Sequence, residues 1–222
     1  MRLLLFDIDC TLIDTGGAGM LSLKQTATDL YGAEGPELDL AGSTDSGILM
    51  GMAEHFGRDI CHADFYQAYL KRLIPNLAGF NGRVLPGVIE LLDQLQGLEK
   101  EGNVTLGLLT GNIAGGAAAK LDHFSLSSYF KFGAYGDDHH DRNQLGPVAL
   151  QRASQHVGKD FSAEHTIVIG DTPKDIACGK AIGAKTLAVA TGSFTVEQLE
   201  DHGADVTVSD LTSDNLMRVL LD

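Results

Sequence analysis

Two aspartates, Asp7 and Asp9, follow a short apolar run at residues 3–6 and are separated by a single residue. Carboxylates this close in one pocket repel each other unless one takes a proton or a divalent cation neutralises them. Either condition suits phosphoryl transfer. One carboxylate can attack phosphorus, splitting a hard step into formation and hydrolysis of an acyl phosphate. The other can protonate the leaving oxygen and later deprotonate water. Two more apolar runs end in residues of matching chemistry. The run at 104–109 leads into Thr110-Gly111-Asn112, where a hydroxyl and nearby backbone N–H groups at a helix start suit phosphate oxygens. The run at 166–169 leads into Gly170-Asp171-Thr172-Pro173-Lys174-Asp175. There Asp171 is a further hard oxygen ligand for Mg²⁺, and Asp175 is close enough to help hold it. A transferring phosphoryl group also needs a cation to balance its spreading charge. Arg142, just ahead of a helical pattern, is the first candidate, and Lys131 the weaker one.

The elements that must position these residues are legible as pattern. Continuous apolar runs at 3–6, 104–109, 166–169, 186–189 and 206–208 read as strands buried on both faces, with 130–135 as one more. They alternate with helical stretches at 113–121, 145–156, 174–182, 196–201 and 213–221. The expected fold is therefore α/β, a doubly wound, mostly parallel sheet with helices on both faces. Ligands of such sheets bind beyond the carboxyl ends of the strands, where all the residues above fall. The interval after the first strand is too long for a simple crossover. Helical spacing at 20–31, 45–56 and 63–73, broken at 32–36 and 76–82, predicts a small inserted helical domain over 15–83. The core then comprises 1–14 and 84–222.

Taken together, the motifs resemble those of the haloacid dehalogenase superfamily of phosphohydrolases. Asp7-Ile8-Asp9-Cys10-Thr11 looks like its first motif, Thr110-Gly111-Asn112 its second, Arg142 its third and Gly170 to Asp175 its fourth. The resemblance implies Asp7 as nucleophile and Asp9 as acid/base. It implies Thr110, Gly111, Asn112 and Arg142 as phosphate binders. It implies a Mg²⁺ site formed by Asp7, the Asp9 backbone carbonyl, Asp171 and Asp175. The helical insertion resembles the cap of the phosphoglycolate-phosphatase-like branch, with Thr44 and Asp45 in a cap loop facing the substrate. Members named for dehalogenation lack the acid/base aspartate, so Asp9 favours phosphate chemistry. The implied activity is a Mg²⁺-dependent phosphatase acting on a small phosphorylated metabolite, such as a phosphoglycolate-like compound or a sugar phosphate. A phosphomutase and a non-catalytic, phosphate-responsive module are the alternatives. Two departures stand out: Cys10 replaces a common glycine, tolerable if the turn needs no positive φ, and Arg142 is followed by Asn143 where proline is frequent.

Composition narrows the setting. The chain has 222 residues, 44% apolar and 21% charged, with a formal charge of −14. That charge opposes general binding to nucleic acid or anionic membrane. Three cysteines without CxxC spacing fit a reducing compartment. With no secretory or membrane-spanning pattern, the expectation is a cytoplasmic monomer or homodimer. The acidic, His-containing stretch at 137–141 reads as solvated surface, the glycines at 16, 17 and 19 as a linker, and Cys10 as a small buried filler.

Overall fold

A computed structural model describes residues 1–37, 40–213 and 215–221. Six parallel strands form the main sheet: β1 (Arg2–Phe6), β4 (Val104–Leu109), β5 (Gly133–Ala134), β6 (Thr166–Gly170), β7 (Lys185–Val189) and β8 (Val206–Val208). Their order is β5-β4-β1-β6-β7-β8. The chain builds outward from β1 on one side, then returns and builds outward on the other, so the order reverses beside β1. Such a reversal leaves a crevice at the strand ends. The run at 130–135 contributes only the two-residue edge strand β5.

Alternation along β1 explains why helices cover both faces, since successive side chains of a strand point opposite ways. Leu4 and Phe6 pack with α4 (Val88–Lys100), α5 (Ala114–His123) and α9 (Leu216–Leu221). Leu3 and Leu5 pack with α6 (Leu145–Val157) and α7 (Pro173–Ile182). Leu3, Leu4, Leu5 and Phe6 are all fully buried. Burying each contributes about 1.5–3 kcal/mol, which makes β1 a rigid base for the loop that carries Asp7 and Asp9. One further helix, α8 (Val196–Asp201), buries Leu199 against Ile176 and Ala188.

Between β2 (Ile13–Asp14) and β3 (Arg83–Val84) lie α1 (Ala18–Tyr31), α2 (Asp45–Phe56) and α3 (His62–Gly79). Strands β2 and β3 pair antiparallel, so the chain leaves and re-enters the sheet region through one short ribbon. The helices share a cluster of their own, built on Leu23, Ile48, Leu49, Phe65, Tyr69, Leu73 and Leu77, with Ile113 joining from the sheet side. Helix α3 runs partway into the break expected at 76–82, ending at Gly79, and passes through Pro75. Proline removes one helical hydrogen bond. Pro75 is exposed, while Leu73 and Leu77 on either side are buried, and their packing offsets the loss.

The start of α2 docks on the strand-end loops. Asp45 N–H donates to the Gly111 carbonyl at 2.7 Å, and the Asp45 carboxylate accepts from Ile113 N–H at 2.8 Å. Ser46 Oγ donates to the Gly136 carbonyl at 2.5 Å. Burial pushes the Asp45 pKa from 3.8 up to about 6, against the opposing pull of Ile113 N–H and Lys120. A pKa higher in the folded than in the unfolded chain gives stability that is fully present below the unfolded value and is lost as pH rises through the folded value. Asp45→Asn keeps an acceptor for Ile113 but does not titrate. The wild type should therefore lose stability relative to this variant between about pH 4 and pH 7, by on the order of 2–3 kcal/mol. Urea unfolding across that range measures the gap, and a gap independent of pH would show that Asp45 is not held protonated by the fold.

Candidate active site

The parallel register delivers the acidic residues to one edge. Phe6, the last residue of β1, lies opposite Leu108 of β4 and Ile169 of β6. Asp7, one step on, is anchored by its N–H to the Ile169 carbonyl at 2.9 Å. Its carboxylate is buried, hydrogen-bonds the Thr110 side chain and meets Arg142 Nη2 at 3.2 Å. Burial raises its pKa to about 6; Arg142 opposes this, and Asp175 and Asp9 add to it.

Arg142 sits in a 3-10 turn, Arg142–Gln144, capped by the Asp141 side chain on Asn143 N–H. Its buried guanidinium also pairs with Asp175 and donates to the carbonyls of Leu109 (3.3 Å) and Gly42 (3.0 Å). Its Nε is buried without an acceptor among the described residues. Lys131 is exposed and does not line the cavity at the strand ends.

The fourth motif makes its own local structure. Thr172 caps α7, and Asp175 closes a capping box by accepting from Thr172 N–H (3.0 Å) and Oγ1 (2.7 Å). Pro173 occupies the helix start, where it forfeits no bond. Gly170 permits this turn, because a Cβ there would overlap the Asp175 carboxylate. Asp7, Asp171 and Asp175 offer carboxylate oxygens that all lie within 4.8 Å of one another. Asp171 accepts a long bond from Thr11 Oγ1, at 3.4 Å, and one from its own backbone N–H. Burial, then Asp175 and Asp7, push its pKa to about 8. Three buried carboxylates against one guanidinium leave an excess of negative charge, and hard oxygens are the ligands a small divalent cation prefers. The donor set therefore fits such an ion. Asp7 and Asp171 have the freer lone pairs, whereas both Asp175 oxygens already accept hydrogen bonds.

Asp9 stands apart from this triad. Its side chain is 39% exposed and faces the cavity, where Lys120 Nζ donates to both oxygens, at 2.8 and 2.6 Å. Asn112 Nδ2 adds a bond to Asp9 Oδ2 at 2.7 Å, and Asn112 Oδ1 accepts from Lys120 at 2.6 Å. Sequence reasoning missed Lys120. Its signal was a single cation in an Ala/Gly-rich helix, about two turns beyond Asn112.

The remaining sequence candidates divide. A cavity of about 360 Å³ is lined by Asp7, Asp9, Gly111, Asn112, Arg142 and Asp171 from the strand ends, and by Met20, Leu23, Ile48, Asp45 and Tyr69 from the helices. Thr110 is fully buried behind that wall, its hydroxyl taken up by Asp7 and Asn112. Thr44 also falls outside the wall. It caps α2 by accepting from Gly47 N–H and donates to the His140 carbonyl at 2.6 Å, so its hydroxyl serves the docking of α2. Gly111 lets the 42–44 loop approach, since a Cβ there would overlap the Ser43 carbonyl.

Comparison with known proteins identifies the family and the fold. Residues 4–189 match the family model described as haloacid dehalogenase-like hydrolase. The phosphoglycolate phosphatase of Aquifex aeolicus is 26% identical over 86% of this chain and 86% of its own. The pyrophosphatase PpaX of Oceanobacillus iheyensis is 26% identical over 95% of this chain and 94% of its own. Among solved structures, CbbY from Rhodobacter sphaeroides, in complex with phosphate, superposes with a TM-score of 0.70 at 17% identity over 96% of both chains. A Thermotoga maritima protein with the provisional description beta-phosphoglucomutase has a TM-score of 0.65 at 20% identity over 100% of both. At such identities the structural likeness establishes the fold alone.

One expectation for the first motif is corrected. Cys10 adopts φ +57°, so the turn does use the left-handed conformation that glycine favours. The tight return of the chain demands it: Cys10 N–H donates to the Ile13 carbonyl at 2.7 Å, while its own carbonyl accepts from Thr191 Oγ1. Burial and the neighbouring Asp171 and Asp9 push the thiol up to about 12, which keeps it protonated and unreactive. An L-residue there costs about 1–2 kcal/mol, and glycine returns about 0.5–1 through the freedom of the unfolded chain. Cys10→Gly should thus leave the unfolding free energy unchanged or raise it by up to about 1.5 kcal/mol in urea titration. A clear loss of stability would assign the Cys10 side chain a packing role that outweighs the strain.

Proposed function

The chain belongs to the haloacid dehalogenase-like hydrolase family and is a phosphatase, and from that premise we propose that it hydrolyses a small phosphate monoester through an aspartyl-phosphate on Asp7, with Mg²⁺ as cofactor. The observation that carries this reading is the convergence of Asp7, Arg142, Asp171 and Asp175 at the ends of adjacent parallel strands, with Asp9 facing the same cavity.

Asp7 attacks phosphorus in line with the bond to the leaving oxygen. Asp9 gives that oxygen a proton as the bond breaks, then takes a proton from the water that hydrolyses the acyl phosphate. Arg142 orients the Asp7 carboxylate and balances charge on the phosphoryl oxygens, with its unpaired Nε as a donor in reserve. Thr110 steadies Asp7 from behind, and Gly111 and Asn112 line the cavity wall beside it, with Asn112 Nδ2 engaged by Asp9. Mg²⁺ would be held by Asp7, the Asp9 carbonyl and Asp171, with Asp175 alongside, and when bound supplies charge neutralisation for nucleophile and phosphate. Helices α1 to α3 act as a cap that excludes water, moving on the β2–β3 ribbon. A cavity of about 360 Å³ suits a compact substrate, such as a phosphoglycolate-like compound or a sugar phosphate, with Asp45 facing it from the cap.

Among the described residues no helix is long and apolar enough to cross a membrane. The three cysteines are unpaired, which supports a cytoplasmic setting. We take the working form to be a monomer or homodimer.

Phosphate release from a panel of phosphate monoesters tests the reading. Release should stop with a chelator, resume with Mg²⁺ and vanish in Asp7→Asn. Asp9→Asn should slow turnover by about 10²-fold or more, the usual size of general acid–base effects, with its circular dichroism unchanged. Full activity in Asp7→Asn would remove the aspartyl-phosphate, and transfer of phosphate to a second sugar hydroxyl in place of water would make the enzyme a mutase.

A further inference from the structure

Lys120 is 3% exposed, and its ammonium makes three short contacts: two to Asp9 and one to Asn112. Burying a long cationic side chain is costly unless it is paired and fully hydrogen-bonded, so this placement is a specific one. Helix α1 passes directly beside it: a Cβ on Gly19 would lie 3.6 Å from Lys120 Nζ, at van der Waals contact. Gly116, four residues earlier on α5, brings Tyr69 and Leu73 of α3 close over the same helix. Lys120 is thereby closed in from both α1 and α3.

The partner is what gives the contact meaning. Asp9 faces a cavity that also holds the carboxylates of Asp7, Asp14, Asp45 and Asp171. A mobile aspartate in that field would turn away from the others. Lys120 and Asn112 instead grip it from one side, and Asn112 is in turn fixed by Thr110 Oγ1 at 2.9 Å. We propose that Lys120 is the positioning residue for Asp9: it holds the carboxyl at the seam between cap and strand ends, where the leaving oxygen of the substrate must lie. This rests on the phosphatase reading and adds to it a residue that sets how well poor leaving groups are expelled. Lys120 forms no covalent bond: as Asp7 bonds to phosphorus and the bond between phosphorus and the leaving oxygen breaks, the proton passes from the Asp9 carboxyl to that oxygen, and Lys120 keeps its own protons.

The test compares kcat/KM of the Mg²⁺-loaded enzyme on two monoesters, p-nitrophenyl phosphate and a simple alkyl phosphate. A nitrophenolate departs without a proton, whereas an alkoxide does not. Lys120→Met should lose on the order of 10²-fold on the alkyl ester, the scale of a lost general acid, and only a few-fold on the nitrophenyl ester. The alkyl loss should lie in kcat, with KM little changed. Lys120→Arg should recover part of it, and adding Lys120→Met to Asp9→Asn should cost little more, since the two act as one unit. Equal losses on both esters, in Lys120→Met or, should that variant not fold, in Lys120→Arg, would overturn the assignment. So would a rise in KM alone, which would make Lys120 a substrate contact. Absence of turnover by the wild type on both esters would refute the phosphatase reading itself and is distinguishable from either result.

Discussion

A single buried guanidinium has to reconcile more negative charge than it can neutralise. Arg142 meets Asp7 from the end of β1, Asp175 from the start of α7, the Leu109 carbonyl of β4 and the Gly42 carbonyl from the inserted segment. Four parts of the chain thus share one cation. Asp171 carries a pKa driven upward by burial and by its acidic neighbours, with Arg142 only partly opposing them. An arrangement of this kind is poor design for stability alone, because unpaired buried carboxylates are among the costliest groups a fold can hold. It suits a site that takes up further positive charge, which is the condition a metal-assisted phosphoryl transfer requires.

That concentration of charge is possible because of the sheet. Parallel strands place all their carboxyl ends on one edge, and the reversal of strand order at β1 opens a crevice there. The β1 side chains, buried in two different clusters on the two faces, fix that edge firmly. The candidate site residues then need little more than short loops. The capping box of α7 is an economical instance: Asp175 starts its helix and orients Arg142 with the same carboxylate.

The inserted helices are coupled to this edge through polar contacts as well as through apolar packing of Tyr69 and Leu73 of α3 over α5 and of Ile113 in the helices' own cluster. Asp45, Ser46 and Thr44 all hydrogen-bond loop atoms that carry or flank site residues. Lys120 lies on the same seam, linking the placement of Asp9 to the presence of α1 and α3 over α5.

By itself the sequence determined the alternation of strands and helices, the insertion of helices after the first strand, and the strand-end positions of Asp7, Thr110 and Asp171. These follow from local periodicity and from residues adjacent in the chain, which backbone geometry alone places together. Only the tertiary structure decided which cation meets which carboxylate. Lys120 and Asp9 are 111 residues apart, and Asp45 and Ile113 are 68 apart, so no local pattern records either contact. It also decided that Thr44 caps a helix and lies outside the cavity, that α3 continues through Pro75, and that Cys10 takes a positive φ. Each of these depends on what packs against the segment from elsewhere, and a propensity or a motif carries no information about a neighbour that is distant in the chain.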